Sequence, residues 1–384
     1  MTETTLAKPV TITTIRSMPL ARAQELKPLV REHARDTEDA RHLSSEVHHA
    51  FTDAGFYRMT MPPEYSGIDV TLPEIMRVLE TLGEADTSSA WRVWVSLGVP
   101  AMSAILTEEG AAEMFASAEA CLSASEAGIG RAVAVEGGFR VTGHWRFVSG
   151  IHEATHTGGF SFVFDGEEQR LTPDGQPVVI GTFFPVADCK VIDVWDTTGL
   201  RGTGSNDVVV EDLFVPAHRI ADPSNPRMGL PVLYYIDEDN AANVTLASIS
   251  IGTATAALEW FREMASGKKQ LDGTLLSESP QVQSMLAEVA TRLAAARGHL
   301  YETAEMLWDE LVDGTYDGKK WFPRTSLASV AAADAAINTV FALYRAAGTA
   351  AIFRSGLLDK ALRDLLTLGA HKTVQRMNLL KYGG

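Results

Sequence analysis

The chain has 384 residues, of which 46% are hydrophobic and 21% charged, values that are ordinary for a soluble globular protein of two or three domains. Its formal net charge of −16 argues against a nucleic-acid partner, which needs a basic face, and against docking on an anionic membrane. Cys121 and Cys189 are the only cysteines, which excludes a disulfide framework and a paired-cysteine metal site. We therefore expect a cytoplasmic protein of enzyme size without a transmembrane segment or a bound metal.

Apolar residues at helical spacing dominate the first part of the chain. Residues 1–19 lack this period and are predicted to form a flexible arm, whereas residues 20–120 are predicted to form a helical domain. Asp86 is a candidate cap for the helix that carries Trp91 and Trp94. Because these two tryptophans are three residues apart, we expect them to share one face of that helix.

The period changes to two over residues 121–225, which predicts a β domain. Its clearest strand is GGFRVTGHWRFVSG at 137–150, where strict alternation places Trp145, Phe147 and Ser149 on one face. This face is flat and aromatic and ends in a small hydroxyl, so it suits a planar heteroaromatic ring as well as an ordinary core. Strands are predicted at 131–136, 138–149, 158–164, 178–185, 189–195 and 207–215.

Residues 230–384 return to the helical period and are predicted to form an antiparallel bundle. One apolar stripe from Val282 to Leu311 is typical of a single long helix, and alanine-rich helices are predicted over 325–350 and 357–380. The predicted fold class is therefore α+β and mostly α. It consists of an N-terminal helical domain, a central β-barrel-like sheet domain and a C-terminal helical bundle.

This order of domains resembles the acyl-CoA dehydrogenase fold, and several segments resemble motifs of that family. MPPEYSG at 61–67 is similar to its Pro-x-x-Tyr-Gly-Gly entry loop, and LSASEAG at 122–128 is similar to its Thr-Glu-Pro-x-Ala-Gly loop beside the flavin. HWRFVSG at 144–150 stands where the family has Trp-Ile-Thr-Asn-Gly, and residues 197–216 resemble its glycine loop and last strand. The resemblance covers nearly the whole chain.

The dehydrogenases of this family need a carboxylate base, which in most members is a glutamate beyond an Arg-Asp pair. Here the pair is Arg363-Asp364, and the segment that follows it contains neither Asp nor Glu. His371 lies near the expected position of the base, and this region resembles the oxygenase branch, the two-component flavin-dependent monooxygenases. Two alternatives remain: a dehydrogenase or oxidase whose base is relocated to Glu259, and a non-enzymatic binding protein on the same fold.

The resemblance implies an oxygenase component that receives reduced flavin, FMN or FAD, from a separate flavin reductase. The flavin would react with O2 through a C4a-hydroperoxyflavin and oxidise a small hydrophobic, aromatic or heteroatom substrate, and the chain would form a homotetramer. Ser149 is implied to face flavin N5, and His371 is implied to move a proton at the peroxide or the substrate. Trp91 and Trp94 are predicted to contact the substrate. The other candidate cofactor-binding residues are Ser123, Ser125, Trp145, Phe147, Val148, Arg201, Ser205, Lys268, Arg354 and Ser355.

Overall fold

A computed structural model describes most of the chain. Helices come first in it, strands follow, and helices return at the end, so the predicted α+β fold class is confirmed. Most of the arm predicted for residues 1–19 lies outside the described residues, as does Ser355. The described residues are 18–68, 70–98, 105–222, 231–354 and 356–380.

Side-chain caps set the starts of several helices. Thr71 and Glu74 form a reciprocal capping box, because each side chain accepts a hydrogen bond from the other residue's backbone N–H. Asp86 accepts hydrogen bonds from the backbone N–H and the hydroxyl of Ser89, at 2.8 and 2.6 Å, and so caps the helix that carries both tryptophans. The helices in the described residues are α1 Met18–Ala40, α2 Ser45–Asp53, α3 Leu72–Gly83, α4 Thr87–Gly98, α5 Glu108–Phe115, α6 Glu238–Gly267, α7 Pro280–Val312, α8 Gly318–Ala347 and α9 Leu357–Leu368.

Helix α9 is shorter than predicted. It ends at Leu368, and the following residues form turns that include the 3-10 turn Arg376–Leu379. A Cβ at Gly369 would lie 2.9 Å from the Ile337 side chain, so this glycine lets the chain leave the helix close against α8. The prediction of a helix up to residue 380 is wrong over this segment, and His371 lies in a turn.

The middle of the chain forms one open mixed sheet. Its strands are β1 Leu122–Val135, β2 Gly138–Val148, β3 His156–Asp165, β4 Glu168–Gln169, β5 Val179–Pro185, β6 Lys190–Ile192, β7 Asn206–Pro216 and β8 Ile220–Ala221. Their order is β6-β7-β2-β1-β3-β5-β8, with β4 paired to β3, and β1 and β3 run parallel. Strand β1 starts before the predicted residue 131, because a register shift between Ser125 and Gly130 hides its period of two.

Helix α6 is the central helix of the bundle. Its Phe261 is fully buried with Leu300 of α7 and Val340 of α8. By length and composition α6 could cross a membrane, as could the segment Gly318–Ala351, but 83% and 56% of their apolar windows are buried inside the protein. A Cβ at Gly252 would lie 2.0 Å from the Glu80 carbonyl oxygen, so α6 and α3 meet backbone to backbone. This contact anchors the N-terminal helices on the bundle.

Candidate active site

The end of strand β2 meets helix α4 at a buried hydroxyl. The Trp91 indole N–H donates to Ser149 Oγ at 3.2 Å, and Ser149 Oγ lies 2.6 Å from Ser205 Oγ. The exposed fractions of Trp91, Ser149 and Ser205 are 8%, 6% and 3%. Helix α4 and the loop before β7 therefore hold the Ser149 hydroxyl from two sides.

Strand β2 changes face near its end. Phe147 has a φ of 59°, and the pairing of β2 with β7 shifts register between Trp145 and Val148. Phe147 is 51% exposed and contacts the edge of the Trp195 ring, whereas Trp145 and Val148 are fully buried in the sheet core. The prediction that Trp145 and Phe147 share a cofactor-facing surface is wrong, because the bulge interrupts the alternation between them.

Two predicted cofactor ligands of β1 are bonded to the backbone of strand β2 and the turn after it. Ser123 is fully buried, and its hydroxyl donates to the backbone carbonyl of Ser149. The Ser125 hydroxyl donates to the backbone carbonyl of Arg146 at 2.5 Å. The prediction for Ser123 is corrected accordingly, because its side chain supports the end of β2 from inside the protein.

A buried cation lies under the turn that follows Ser149. Arg92 is fully buried, its Nε lies 3.4 Å from Glu153 Oε2, and its Nη2 contacts the Cys121 thiol. Burial raises the pKa of that thiol to about 11, so the thiol is neutral near pH 7. Gly150 has a φ of 71°, and a Cβ on it would lie 2.1 Å from Arg92 Nε. The turn therefore requires glycine for its backbone conformation and for lack of space.

Substitution Gly150→Ala tests this contact. We expect it to lower the free energy of unfolding by about 2–5 kcal/mol, because left-handed strain and overlap with the guanidinium add. Gly166→Ala is the matched control, since Gly166 has a φ of 62° and nothing lies within 4 Å of its added Cβ. The control should lower the free energy of unfolding by only about 1–2 kcal/mol, which is the cost of the left-handed strain alone. Chemical denaturation measures both, and equal losses would contradict the contact with Arg92.

The Arg363-Asp364 pair fastens the glycine loop. The Leu200 backbone N–H donates to Asp364 Oδ1 at 2.7 Å, and Arg363 donates to another backbone carbonyl of the loop at 2.6 Å. A Cβ at Gly199 would lie 2.0 Å from the Arg363 carbonyl oxygen, so the two backbones touch. The pair thus positions the loop that carries Ser205.

Lys360 connects this loop to helix α4, and the sequence patterns did not single it out. Its Nζ lies 2.5 Å from Asp86 Oδ1 and 2.6 Å from Asp364 Oδ2, and the two carboxylate side chains are 0% and 2% exposed. Burial disfavours the ammonium, but the two carboxylates outweigh burial and hold the pKa of Lys360 above its usual range. Only its spacing of four residues from Asp364 hinted at an ion pair.

The structure brings His371 together with both tryptophans. The imidazole meets the Trp91 and Trp94 rings edge-on, with centroids 5.4 Å away in each case. Its Nδ1 accepts the Thr373 backbone N–H at 3.3 Å, which leaves the ring hydrogen on Nε2. Burial and the neighbouring Lys372 ammonium lower the pKa of His371 to about 4. The imidazole is therefore a neutral donor near neutral pH.

The remaining basic candidates have partners of their own. Arg201 pairs with an aspartate of its own loop at 2.8 Å, Lys268 donates to a backbone carbonyl at the end of α8 at 2.6 Å, and Arg354 pairs with an aspartate of α1 at 3.0 Å. Their role at a flavin stays a prediction. Within the described ranges, no three His, Cys, Asp or Glu side chains group closely enough to hold a metal ion.

Comparisons with known proteins show which proteins this chain resembles. The family models "Acyl-CoA dehydrogenase, N-terminal domain" and "Acyl-CoA dehydrogenase, C-terminal domain" match residues 21–116 and 244–376. Indole-3-acetate monooxygenase of Pseudomonas putida is 28% identical over 349 residues, covering 89% of this chain and 87% of that protein. The flavin-dependent monooxygenase oxygenase subunit HsaA of Rhodococcus jostii is 28% identical over 360 residues, covering 90% and 91%. The structure of XiaF from Streptomyces sp. in complex with FADH2 and glycerol has a TM-score of 0.88 and 25% identity, covering 97% and 96%.

Proposed function

The chain belongs to the acyl-CoA dehydrogenase family, whose two models together match more than half of it, and on that premise we propose that it is the oxygenase component of a two-component flavin-dependent monooxygenase. The observation that carries this proposal is the neutral His371 imidazole, packed against Trp91, whose indole N–H reaches Ser149. A hydrogen-bond donor, His371, and the hydroxyl assigned to the cofactor side, Ser149, thus both contact the Trp91 indole. The names of the relatives from Pseudomonas and Rhodococcus support the same activity.

The structure does not favour Glu259 as the relocated base of a dehydrogenase. Glu259 is exposed on α6. The chain after Asp364 carries no carboxylate side chain. Removal of a substrate α-proton needs a base within hydrogen-bond reach, and His371 is a poor one because its pKa is about 4.

The described residues fit a reduced flavin. When bound, this cofactor supplies the electrons that activate O2, while the protein supplies orientation and a dry pocket. Phe147, two residues before the buried Ser149, offers an exposed aromatic surface. Ser149 accepts a hydrogen bond from Trp91 and has capacity for another partner. We assign Ser149 to flavin N5 and the Nε2–H of the neutral His371 imidazole to a hydrogen bond on the oxygen that is transferred.

We assign a small aromatic compound as the substrate. Trp91 and Trp94 contact each other with ring centroids 5.1 Å apart, and the Trp94 indole N–H is already used on Thr245 at 3.0 Å. Two indoles with satisfied N–H groups leave ring surface for an apolar partner. The relative from Pseudomonas is named for the aromatic compound indole-3-acetate, which supports the class but not the individual compound.

A flavin reductase and further copies of this chain are the proposed partners. The word "subunit" in the name of the Rhodococcus relative supports a separate reductase. Phe341, Phe353, Leu366 and Met377 of the C-terminal part of the chain are 49%, 62%, 56% and 71% exposed, and large exposed apolar groups favour association. We propose that these groups take part in the contacts of a homotetramer and that the assembly acts in the cytoplasm.

A single-turnover experiment tests the proposed function without the reductase. The protein is mixed anaerobically with photoreduced FMN or FAD and an aromatic compound such as indole, and then exposed to oxygen-18 gas. We expect one oxygen-18 atom in the product. A parallel sample with oxidised FAD and an acyl-CoA should keep its flavin colour. Product without the label, together with bleaching by the acyl-CoA, would contradict the oxygenase and favour the dehydrogenase.

A further inference from the structure

Three hydroxyls form a buried chain that starts at the proposed flavin side. Ser149 Oγ lies 2.6 Å from Ser205 Oγ, which lies 2.7 Å from Thr203 Oγ1. Thr203 Oγ1 lies 2.9 Å from the carbonyl oxygen of Leu200. Ser149, Ser205 and Thr203 are 6%, 3% and 1% exposed, so water has little access to the chain.

The carbonyl oxygen of Leu200 sets the direction of each hydrogen bond along the three hydroxyls. A carbonyl oxygen only accepts, so an oxygen pair at 2.9 Å requires Thr203 to donate to Leu200. Two acceptors facing each other at this distance without a hydrogen would repel. Because Thr203 has spent its one hydrogen, it accepts from Ser205, and Ser205 in turn accepts from Ser149.

The backbone around Leu200 keeps this end in place. Its N–H is bound by Asp364, and its carbonyl also accepts from the Trp195 indole at 2.9 Å. Leu200 itself has a φ of 51°, inside a turn that Arg201–Thr203 closes. The Leu200 carbonyl, at which the row of hydroxyls ends, is therefore held in place by groups that are not part of that row.

Ser149 is consequently left with one lone pair. Its hydrogen goes to Ser205, and one lone pair accepts the Trp91 indole N–H. What remains can accept a hydrogen bond but cannot donate one. A reduced isoalloxazine carries a hydrogen on N5, whereas the N5 of the oxidised ring is only an acceptor.

We propose that Thr203 and Ser205 are positioning residues that make Ser149 an obligate acceptor, so that the site selects reduced over oxidised flavin. This inference rests on the proposed function, because it takes Ser149 as the N5 partner. The selection needs no charge near the ring. It comes from the order of hydrogens in a chain that ends on a backbone carbonyl.

Substitution Thr203→Val tests the inference by removing the donor to Leu200 at nearly constant volume. Ser205 can then donate towards Ser149, which frees the Ser149 hydrogen for oxidised N5. We measure anaerobic dissociation constants for reduced and oxidised FMN and FAD. The preference for reduced flavin should shrink by about tenfold, the worth of one ordinary hydrogen bond. The two-electron potential of the bound flavin should fall by about 30 mV for each tenfold change.

Thr157→Val is the matched control, because Thr157 is an equally buried threonine on β3 whose hydroxyl has no partner among the described residues. Its ratio of dissociation constants should equal that of the wild type. Ser205→Ala should lower the preference for reduced flavin as Thr203→Val does. The ratio of the two dissociation constants is used because it is insensitive to a general loss of stability. An unchanged ratio in both chain variants would overturn the inference while leaving the oxygenase intact. Binding of neither flavin form by the wild type would overturn both.

Discussion

Substitution Lys360→Met should lower the free energy of unfolding by about 3–5 kcal/mol, the usual loss when one partner of a buried ion pair is removed. The ammonium is the counter-charge of Asp86 and Asp364, which lie 2.5 and 2.6 Å away. Without it, two almost inaccessible carboxylates remain close together, and one of them must take up a proton or attract water.

A surface ion pair supplies the control for this variant. Lys320 pairs with Glu310 at 3.1 Å, but its side chain is 49% exposed, so Lys320→Met should cost at most about 1 kcal/mol. Denaturant midpoints of the two variants and the wild type give the comparison. The double variant Lys360→Met with Asp364→Asn should recover part of the loss, because one buried charge is removed with its partner. Equal midpoints for Lys360→Met and Lys320→Met would contradict the role of Lys360 in the fold.

Substitution His371→Ala should reduce product formation by about 100- to 1,000-fold while flavin binding is retained, because losing one positioned hydrogen-bond donor at a developing negative charge costs that much. The imidazole contacts Trp91 and Trp94, and neither ring can replace its Nε2–H. His371→Gln keeps an N–H donor and should retain part of the activity. His299→Ala removes an exposed histidine of α7 and serves as the control.

The pH dependence separates this donor role from that of a base. Since the pKa of His371 is lowered to about 4, the wild-type rate should show no step near the usual histidine pKa of about 6.5. The unfolded chain binds a proton at this histidine more readily than the native protein. Its contribution to stability is therefore complete above pH 6.5 and is lost as the pH falls towards 4. A step in the wild-type rate near 6.5 that disappears in His371→Ala would contradict the assignment.

Local periodicity in the sequence was sufficient to predict the order of helices and strands, because the spacing of apolar residues follows the buried face of each element. It also brought Trp91 and Trp94 onto one face, as their ring contact confirms. It failed at Trp145, where a bulge and the positive φ of Phe147 change the face of β2. A bulge depends on the register of the partner strand, and the sequence of one strand does not reveal that register.

Contacts between distant segments could not be predicted from the sequence, for a similar reason. Lys360 was unremarkable in the chain, and only the packing of α9 against α4 makes it the partner of Asp86. Thr203 was likewise one polar residue of a glycine-rich loop until the fold placed its hydroxyl between Ser205 and Leu200. Sequence spacing reveals neighbours on one helix or strand. Lys360 on α9, in contrast, meets Asp86 at the start of α4, and the loop hydroxyls of Thr203 and Ser205 meet Ser149 at the end of β2.

Trp91 has a consequence for attempts to change the substrate range by directed evolution. One indole bonds Ser149, the proposed flavin partner, and contacts His371, the proposed hydrogen-bond donor, so any replacement alters both contacts at once. Trp94 touches the same histidine, but its N–H is bound to Thr245 of the bundle. Libraries that vary Trp94 and Thr245 should therefore change the surroundings of His371 while Trp91 keeps its hydrogen bond to Ser149. A substitution at Trp91 therefore changes both contacts together, whereas a substitution at Trp94 changes the contact with His371 and leaves the bond to Ser149.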